Sequence, residues 1–280
     1  MSDVAIIGAG ELGGALAHLL AKRNIVRTVR LVDDHGRIAA GKALDIAQAG
    51  AVERHATAID GTTDLFAAAG ASIIAIADRA GRGEWKGDEA MALVKSLLQH
   101  SPAAVVICAG GSQRELVERA CADLKTPRTR MFGSAPDAMT AAARAMVGLE
   151  TNRSANDVGL AVLGVPPGQM VIPWAEATIG GFSAIRLMTE PQRRRVAARL
   201  PALWPPGPYA LAAAAVKAID AMVAGSRRVA TCFVAPDLTA GTRSRTAALP
   251  VRLGRAGIEE VLLPELSVLE RVALENAMAL

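Results

Sequence analysis

Gly8-Ala9-Gly10-Glu11-Leu12-Gly13 is the stretch of this 280-residue chain whose spacing carries the most chemistry. It follows a β-branched run and opens a helix-patterned one. The first glycine permits a tight turn, and the second lets a pyrophosphate approach the backbone. The third allows close helix–strand packing, while the helix start offers free N–H groups and positive potential to phosphates. Twenty residues beyond Gly13, Asp33 ends the second run. An acceptor there suits the ribose hydroxyls of NAD and opposes the extra phosphate of NADP. Strand, glycine loop, helix, strand and acid in this order predict a dinucleotide site formed by Gly8, Gly10, Glu11, Leu12, Gly13 and Asp33. The bland reading of the same glycines is a scaffold kept for packing alone.

The elements that must hold such a site are legible on either side of it. Short apolar runs at Val4–Ile7, Val29–Val32, Ile73–Ala77, Val105–Cys108 and Arg130–Phe132 predict strands, with a weaker one near Ala56–Ile59. Helical patterns alternate with them at Glu11–Lys22, Ile38–Ala47, Glu89–Gln99, Glu115–Ala122 and Asp137–Val147. This alternation is the signature of a parallel sheet covered on both faces. Past about residue 150 the pattern turns more antiparallel. Strands are expected at Val158–Leu163, Ala177–Ile179, Val229–Val234 and Ala248–Leu253, and helices at Pro191–Leu200, Tyr209–Ala224 and Val268–Ala279. Trp204-Pro205-Pro206-Gly207-Pro208 reads as a rigid connector.

Composition excludes several function classes. The hydrophobic share of 51% and net charge of +4 exclude intrinsic disorder. An aromatic share of 3% argues against a base-stacking nucleic-acid surface. The run Arg193-Arg194-Arg195 reads as a solvated helix face. No apolar run is long enough to predict a membrane span. The strand pattern starting at Asp3 leaves no room for a targeting segment. Cys108, Cys121 and Cys232 lack metal-ligand spacing, so no metal is expected and a cytoplasmic location is.

Over essentially its whole length the chain resembles the lactate/malate dehydrogenase family. Leu31-Val32-Asp33-Asp34 followed by Gly41-Lys42-Ala43-Leu44-Asp45 is similar to the family's second strand and the helix after it. Val158 to Pro173 is similar to the strand and turn that carry the catalytic histidine. Tyr209-Ala210 and the segment Leu249 to Glu260 are similar to the family's C-terminal half. The resemblance implies an α/β fold: an N-terminal Rossmann doubly wound parallel sheet over 1–135 and a C-terminal α+β lactate/malate dehydrogenase-like domain over 136–280. It also implies NAD as cofactor, adds Ala77 to the cofactor contacts, and implies a homo-oligomer.

The implied chemistry is oxidation of a 2-hydroxy acid. Hydride passes to NAD, a histidine held by an aspartate takes the proton, and arginines clamp the carboxylate. Here the histidine's turn reads Gly164-Val165-Pro166-Pro167-Gly168-Gln169, with Pro166 at the matching position. The four histidines, His18, His35, His55 and His100, all precede residue 101. The family's Leu-Asp-Ser-Ala-Arg appears as Pro136-Asp137-Ala138-Met139-Thr140, keeping the acid as Asp137 and placing Thr140 at the arginine. The mobile loop reads Asp78 to Asp88, with glycines at both arginine positions and Arg79, Arg82 and Lys86 nearby. Ala109-Gly110 replaces an Asn-Pro. Asp78 stands where a glycine is usual beside the cofactor's centre. Three roles are open to its carboxylate: repelling the pyrophosphate, facing solvent, or taking over a hydrogen bond.

The expectation is an NAD(H)-binding protein whose usual dehydrogenase chemistry is lost, with a regulatory, scaffolding or cofactor-sensing role. The alternative is an oxidoreductase acting on another carbonyl or hydroxy substrate. Its non-histidine acid/base would come from Asp137, Glu176, Tyr209 or Lys86. A third reading keeps only the fold, as a structural or assembly protein.

Overall fold

The computed structural model describes residues 2–237 and 245–279. Its first half alternates strand and helix: β1 (Asp3–Ile7), α1 (Glu11–Arg23), β2 (Thr28–Val32), α2 (Gly36–Glu53), β3 (Ala58–Thr62) and β4 (Ile73–Ile76). A short hairpin follows, β5 (Asp78–Arg79) with β6 (Gly83–Glu84). Then come α3 (Gly87–His100), β7 (Val105–Cys108), α4 (Arg114–Asp123), β8 (Met131–Gly133) and α5 (Ala135–Thr151). In β1, Val4 and Ile6 enter one hydrophobic core while Ala5 and Ile7 enter another on the opposite face. A strand buried on both faces needs a continuous apolar run, which is what DVAII supplies.

The strands lie in the order β3-β2-β1-β4-β7-β8, all parallel. Chain progression reverses between β1 and β4. The carboxyl ends of strands flanking such a reversal splay apart into a crevice, the usual ligand position in this sheet type. Gly8 and Asp78 stand on its two sides.

The second half contributes β9 (Val158–Gly159), β10 (Leu163–Val165), β11 (Gln169–Val171), β12 (Thr178–Ile179), β13 (Phe182–Ser183), α6 (Ala184–Leu187), α7 (Glu190–Arg199), α8 (Pro208–Ala224), β14 (Val229–Val234), β15 (Ala247–Gly254), β16 (Gly257–Val261) and α9 (Val268–Ala279). β14 joins the sheet antiparallel to β8, through Phe233 opposite Gly133, and β15, β10 and β11 extend it. α8 starts on Pro208 and stops at Gly225 in the left-handed conformation, the expected chemistry for each end. It packs against α1 and α5.

Two elements differ from the sequence expectation. The single strand expected over Val158–Leu163 breaks into β9 and β10, because the Val162 N–H turns away to the Thr140 hydroxyl at 3.2 Å. The helix expected over Ile38–Ala47 runs six residues further, to Glu53, and is closed by Arg54 in the left-handed conformation. All three cysteines are free and buried. Burial pushes the Cys121 thiol up to about 11 and raises the Cys108 and Cys232 thiols well above the ordinary thiol range, so each behaves as a small apolar residue. Among the described residues, no single helix is long and apolar enough to cross a membrane, and no group of three metal-ligating side chains exists.

Candidate functional site: a dinucleotide crevice closed by its own loop

Gly8 leaves β1 at φ +115°, and a Cβ there would land on the backbone of Asp78. Glycine is therefore required for the β1–α1 turn to pass β4 so closely. α1 begins immediately afterwards, with Glu11 and Leu12 in its first turn and Leu12 and Gly13 buried. Ala77 continues β4 beside this turn, its N–H donating to the Ile7 carbonyl at 2.9 Å. The turn thus brings the first amides of α1 against the end of β4.

An anion already sits on these amides. The Asp78 carboxylate accepts from Glu11 N–H at 3.0 Å through Oδ2 and from Gly13 N–H at 3.0 Å through Oδ1. The Asp78 carbonyl accepts from Gly10 N–H at 2.9 Å. A Cβ on Gly10 would fall on that carboxylate, so the space opened by the missing side chain is the space Asp78 fills. Of the three roles open to Asp78, the structure gives it the hydrogen-bonding one. Negative charge at a helix N-terminus is favourable, and the aspartate obtains that stabilisation from within the chain.

Asp33 also faces inward. Its side chain is wholly buried. Oδ2 accepts from Ala9 N–H at 2.7 Å and Ala80 N–H at 2.9 Å, and Oδ1 from His35 N–H at 2.8 Å. The carboxylate thus ties the glycine loop to the loop after Asp78 and presents no oxygen outward. Burial pulls its proton affinity up, but the three amides outweigh it and hold the group below the usual aspartate value of 3.8. A carboxylate lowered in the folded state adds stability above its unfolded value, and that stability is lost as pH falls through the folded one. Urea unfolding of Asp33→Asn between pH 5 and 2.5 is therefore expected to show a shallower acid decline than wild type below about pH 4. Superimposable acid limbs would remove this role.

The rest of the loop is anchored as firmly. In the hairpin Asp78 pairs with Glu84 and Arg79 with Gly83. Glu84 reaches the turn after β7, its Oε1 accepting from Gly111 N–H at 2.9 Å and its Oε2 from Ser112 N–H at 2.8 Å. Arg79 is buried, stacked 4.3 Å from the Trp85 ring centroid and paired with Glu89. Arg82 lies 3.6 Å from Asp34, and Lys86 is exposed. Of the three basic residues that the sequence places near the missing clamp, Arg79 is thus engaged within the fold, while Arg82 and Lys86 stay at the surface.

Asp137, at the first turn of α5, is buried. Lys217 of α8 donates to both its oxygens at 2.9 and 2.8 Å, and Thr231 N–H donates to Oδ1 at 3.0 Å. These bonds occupy most of the acceptor capacity of a carboxylate. Thr140, one turn on, donates to the Thr231 hydroxyl at 3.0 Å. Asp137, Thr140, Lys217 and Thr231 line a cavity of about 420 Å³ with Arg144 and Asp157. Pro166 is buried between β10 and β11. Glu176 is exposed and accepts from the Glu265 N–H, and Tyr209 is 79% exposed. The hydrogen-bond partners of Asp137 are Lys217 and Thr231, not these two. His18 pairs with Glu53 at 2.8 Å, and His100 stacks edge-on against Phe66.

Glu84 and Lys217 escaped the sequence reading. Lys217 is 80 residues from Asp137, and nothing in its local pattern signals the pairing. Glu84 had a signal, as the acid nearest the tip of the loop.

A pyrophosphate in this crevice would need the amides that Asp78 now holds. The backbone fits such a group, and with the loop seated the Glu11 and Gly13 amides are taken by the Asp78 carboxylate.

No family model matches the chain. Among solved structures, the malate dehydrogenase of Salinibacter ruber superposes with TM-score 0.87 at 23% identity, covering 98% of this chain and 93% of that one. The lactate dehydrogenase of Cryptosporidium parvum, solved with lactic acid and NAD, superposes with TM-score 0.88 at 23% identity, covering 99% and 94%. These likenesses show the α/β fold. Among curated proteins, the malate dehydrogenase of Thioalkalivibrio sulfidiphilus is 29% identical over 297 residues, covering 100% of this chain and 97% of that protein. With the malate dehydrogenase of Chloroherpeton thalassium the identity is 30% over 295 residues, covering 97% of this chain and 94% of that protein, and the chain belongs to the malate/lactate dehydrogenase family.

Proposed function

We propose that this protein is an NAD(H)-binding member of its family that no longer interconverts 2-hydroxy and 2-keto acids, and that it works as a cofactor-responsive binding protein. The observation that carries the reading is the state of the proton-transfer pair. Pro166, a residue with no side-chain donor or acceptor, stands in the turn where the family resemblance expects the histidine. The acid that would orient such a histidine, Asp137, is committed to Lys217 and Thr231. Thr140 supplies a hydroxyl where a bidentate, permanently charged fork would hold a substrate carboxylate. NAD(H) as the ligand rests on the glycine turn, the α1 amides and the likeness to the lactate dehydrogenase solved with NAD.

The test is binding and turnover measured on one preparation. NADH at millimolar concentration is expected to raise the melting temperature, since a ligand held only by the folded state stabilises it. Keto acids, aldehydes and ketones added to that mixture are expected to produce no substrate-dependent NADH oxidation. A rate that tracks one of these substrates overturns the loss of chemistry, and one abolished by changing Asp137, Glu176, Tyr209 or Lys86 would identify a replacement acid/base.

A further inference from the structure

Two carboxylates on one hairpin, separated by five residues, both terminate on backbone amides at the rim of the crevice. Asp78 takes Glu11 and Gly13 N–H at the start of α1, and Glu84 takes Gly111 and Ser112 N–H before α4. Both acids are half-buried, and each has its two carboxylate oxygens on two separate amides. Gly10 leaves the volume that the Asp78 carboxylate occupies. Arg79 locks the strand between them under Trp85, and Ala80 N–H is fastened to buried Asp33.

We propose that loop 78–86 is an internal ligand of the dinucleotide crevice: Asp78 stands in for the pyrophosphate, Glu84 pins the far end of the loop, and a dinucleotide binds only by displacing both. This inference rests on the NAD(H) reading above and adds a regulatory element to it. The tethered carboxylates compete at the high effective concentration of an intramolecular ligand. Apparent affinity then falls by the fraction of molecules whose loop is open, so a loop seated 99% of the time weakens binding about 100-fold. Anything that holds the loop open becomes an activator of nucleotide binding. Conversely, bound nucleotide exposes the loop's acids and the Arg79–Trp85 stack, a change that a partner protein can read.

The experiment compares wild type with Asp78→Gly, Asp78→Asn and Glu84→Gln. The probes are ADP-ribose and NADH by calorimetry, together with amide hydrogen exchange at Glu11 and Gly13. In wild type those two amides are expected to be protected, and in Asp78→Gly to exchange at least ~10-fold faster. ADP-ribose is expected to bind Asp78→Gly at least ~10-fold tighter than wild type, with Asp78→Asn and Glu84→Gln between them. The Asn variant keeps the volume of the side chain, so it reports even if the glycine variant folds poorly. Wild type binding ADP-ribose as tightly as Asp78→Gly, or fast exchange at Glu11 and Gly13 in wild type, overturns the internal-ligand proposal and leaves NAD(H) binding standing. Released amides in Asp78→Gly with no uptake of ADP-ribose, NADH or inorganic pyrophosphate at millimolar concentration overturns the NAD(H) reading, and the competition with it.

Discussion

Oxaloacetate or pyruvate reduction by the purified protein is expected to run at least ~10⁴-fold below that of the Chloroherpeton thalassium malate dehydrogenase assayed beside it on oxaloacetate. Two losses set the size. A positioned general acid/base contributes about 10²–10⁴-fold, and on the proposed reading Pro166 stands where it would be. Fixing the substrate carboxylate contributes further through orientation, and Thr140 carries no charge with which to do so. The prediction extends to a partial repair. Pro166→His alone is expected to leave the rate at background, because Asp137 is already bonded to Lys217 and Thr231 and has little capacity left to orient an imidazole. Thr140→Arg and Asp78→Gly attack two further obstacles but leave Asp137 paired, so any recovered turnover should first emerge when these three changes are combined with Lys217→Met. Wild-type turnover within ~100-fold of that relative contradicts the whole reading, since no arrangement of the residues near Pro166 then explains the proton's destination.

How far the sequence reaches is visible residue by residue. The parallel core was legible because both faces of β1, β4 and β7 are buried and their runs are continuously apolar, and the crevice followed from the glycine turn between β1 and α1. The end of β14 and both ends of α9 fall where the apolar pattern puts them. What stayed hidden depends on tertiary placement. The same Asp78 carboxylate has three physical options until the β5–β6 hairpin fixes its direction, and only then do Glu11 and Gly13 become its partners. Asp33 satisfies the spacing rule for a ribose acid, yet the direction of a side chain is not a property of spacing. The two-residue strands β9, β12 and β13 have too few residues to display a period.

Lys217→Met is expected to destabilise the protein by about 3 kcal/mol, toward the lower end of the range for breaking a buried pair, as read by urea unfolding. The cost comes from what is left behind. Asp137 is 6% exposed, and without the ammonium its charge keeps only the Thr231 amide. Lys217 itself is 36% exposed at its side chain, so water recovers the lysine's share in the reverse deletion. That asymmetry gives the prediction its sign test: removing the base should hurt more than neutralising the acid as Asp137→Asn, which keeps an oxygen for Thr231 N–H. The double change Asp137→Asn with Lys217→Met should recover most of the lost stability, because an uncharged amide facing a thioether needs no counter-ion. The coupling also bears on function. An aspartate that shuttles or orients protons in catalysis has to be free to strengthen a bond as charge develops, whereas one already neutralised by a lysine has its electrostatic work assigned to holding α5 against α8 and β14. If Lys217→Met unfolds within 1 kcal/mol of wild type, Asp137 is not committed to that work, and the imidazole-restoring variants gain the orienting acid they otherwise lack.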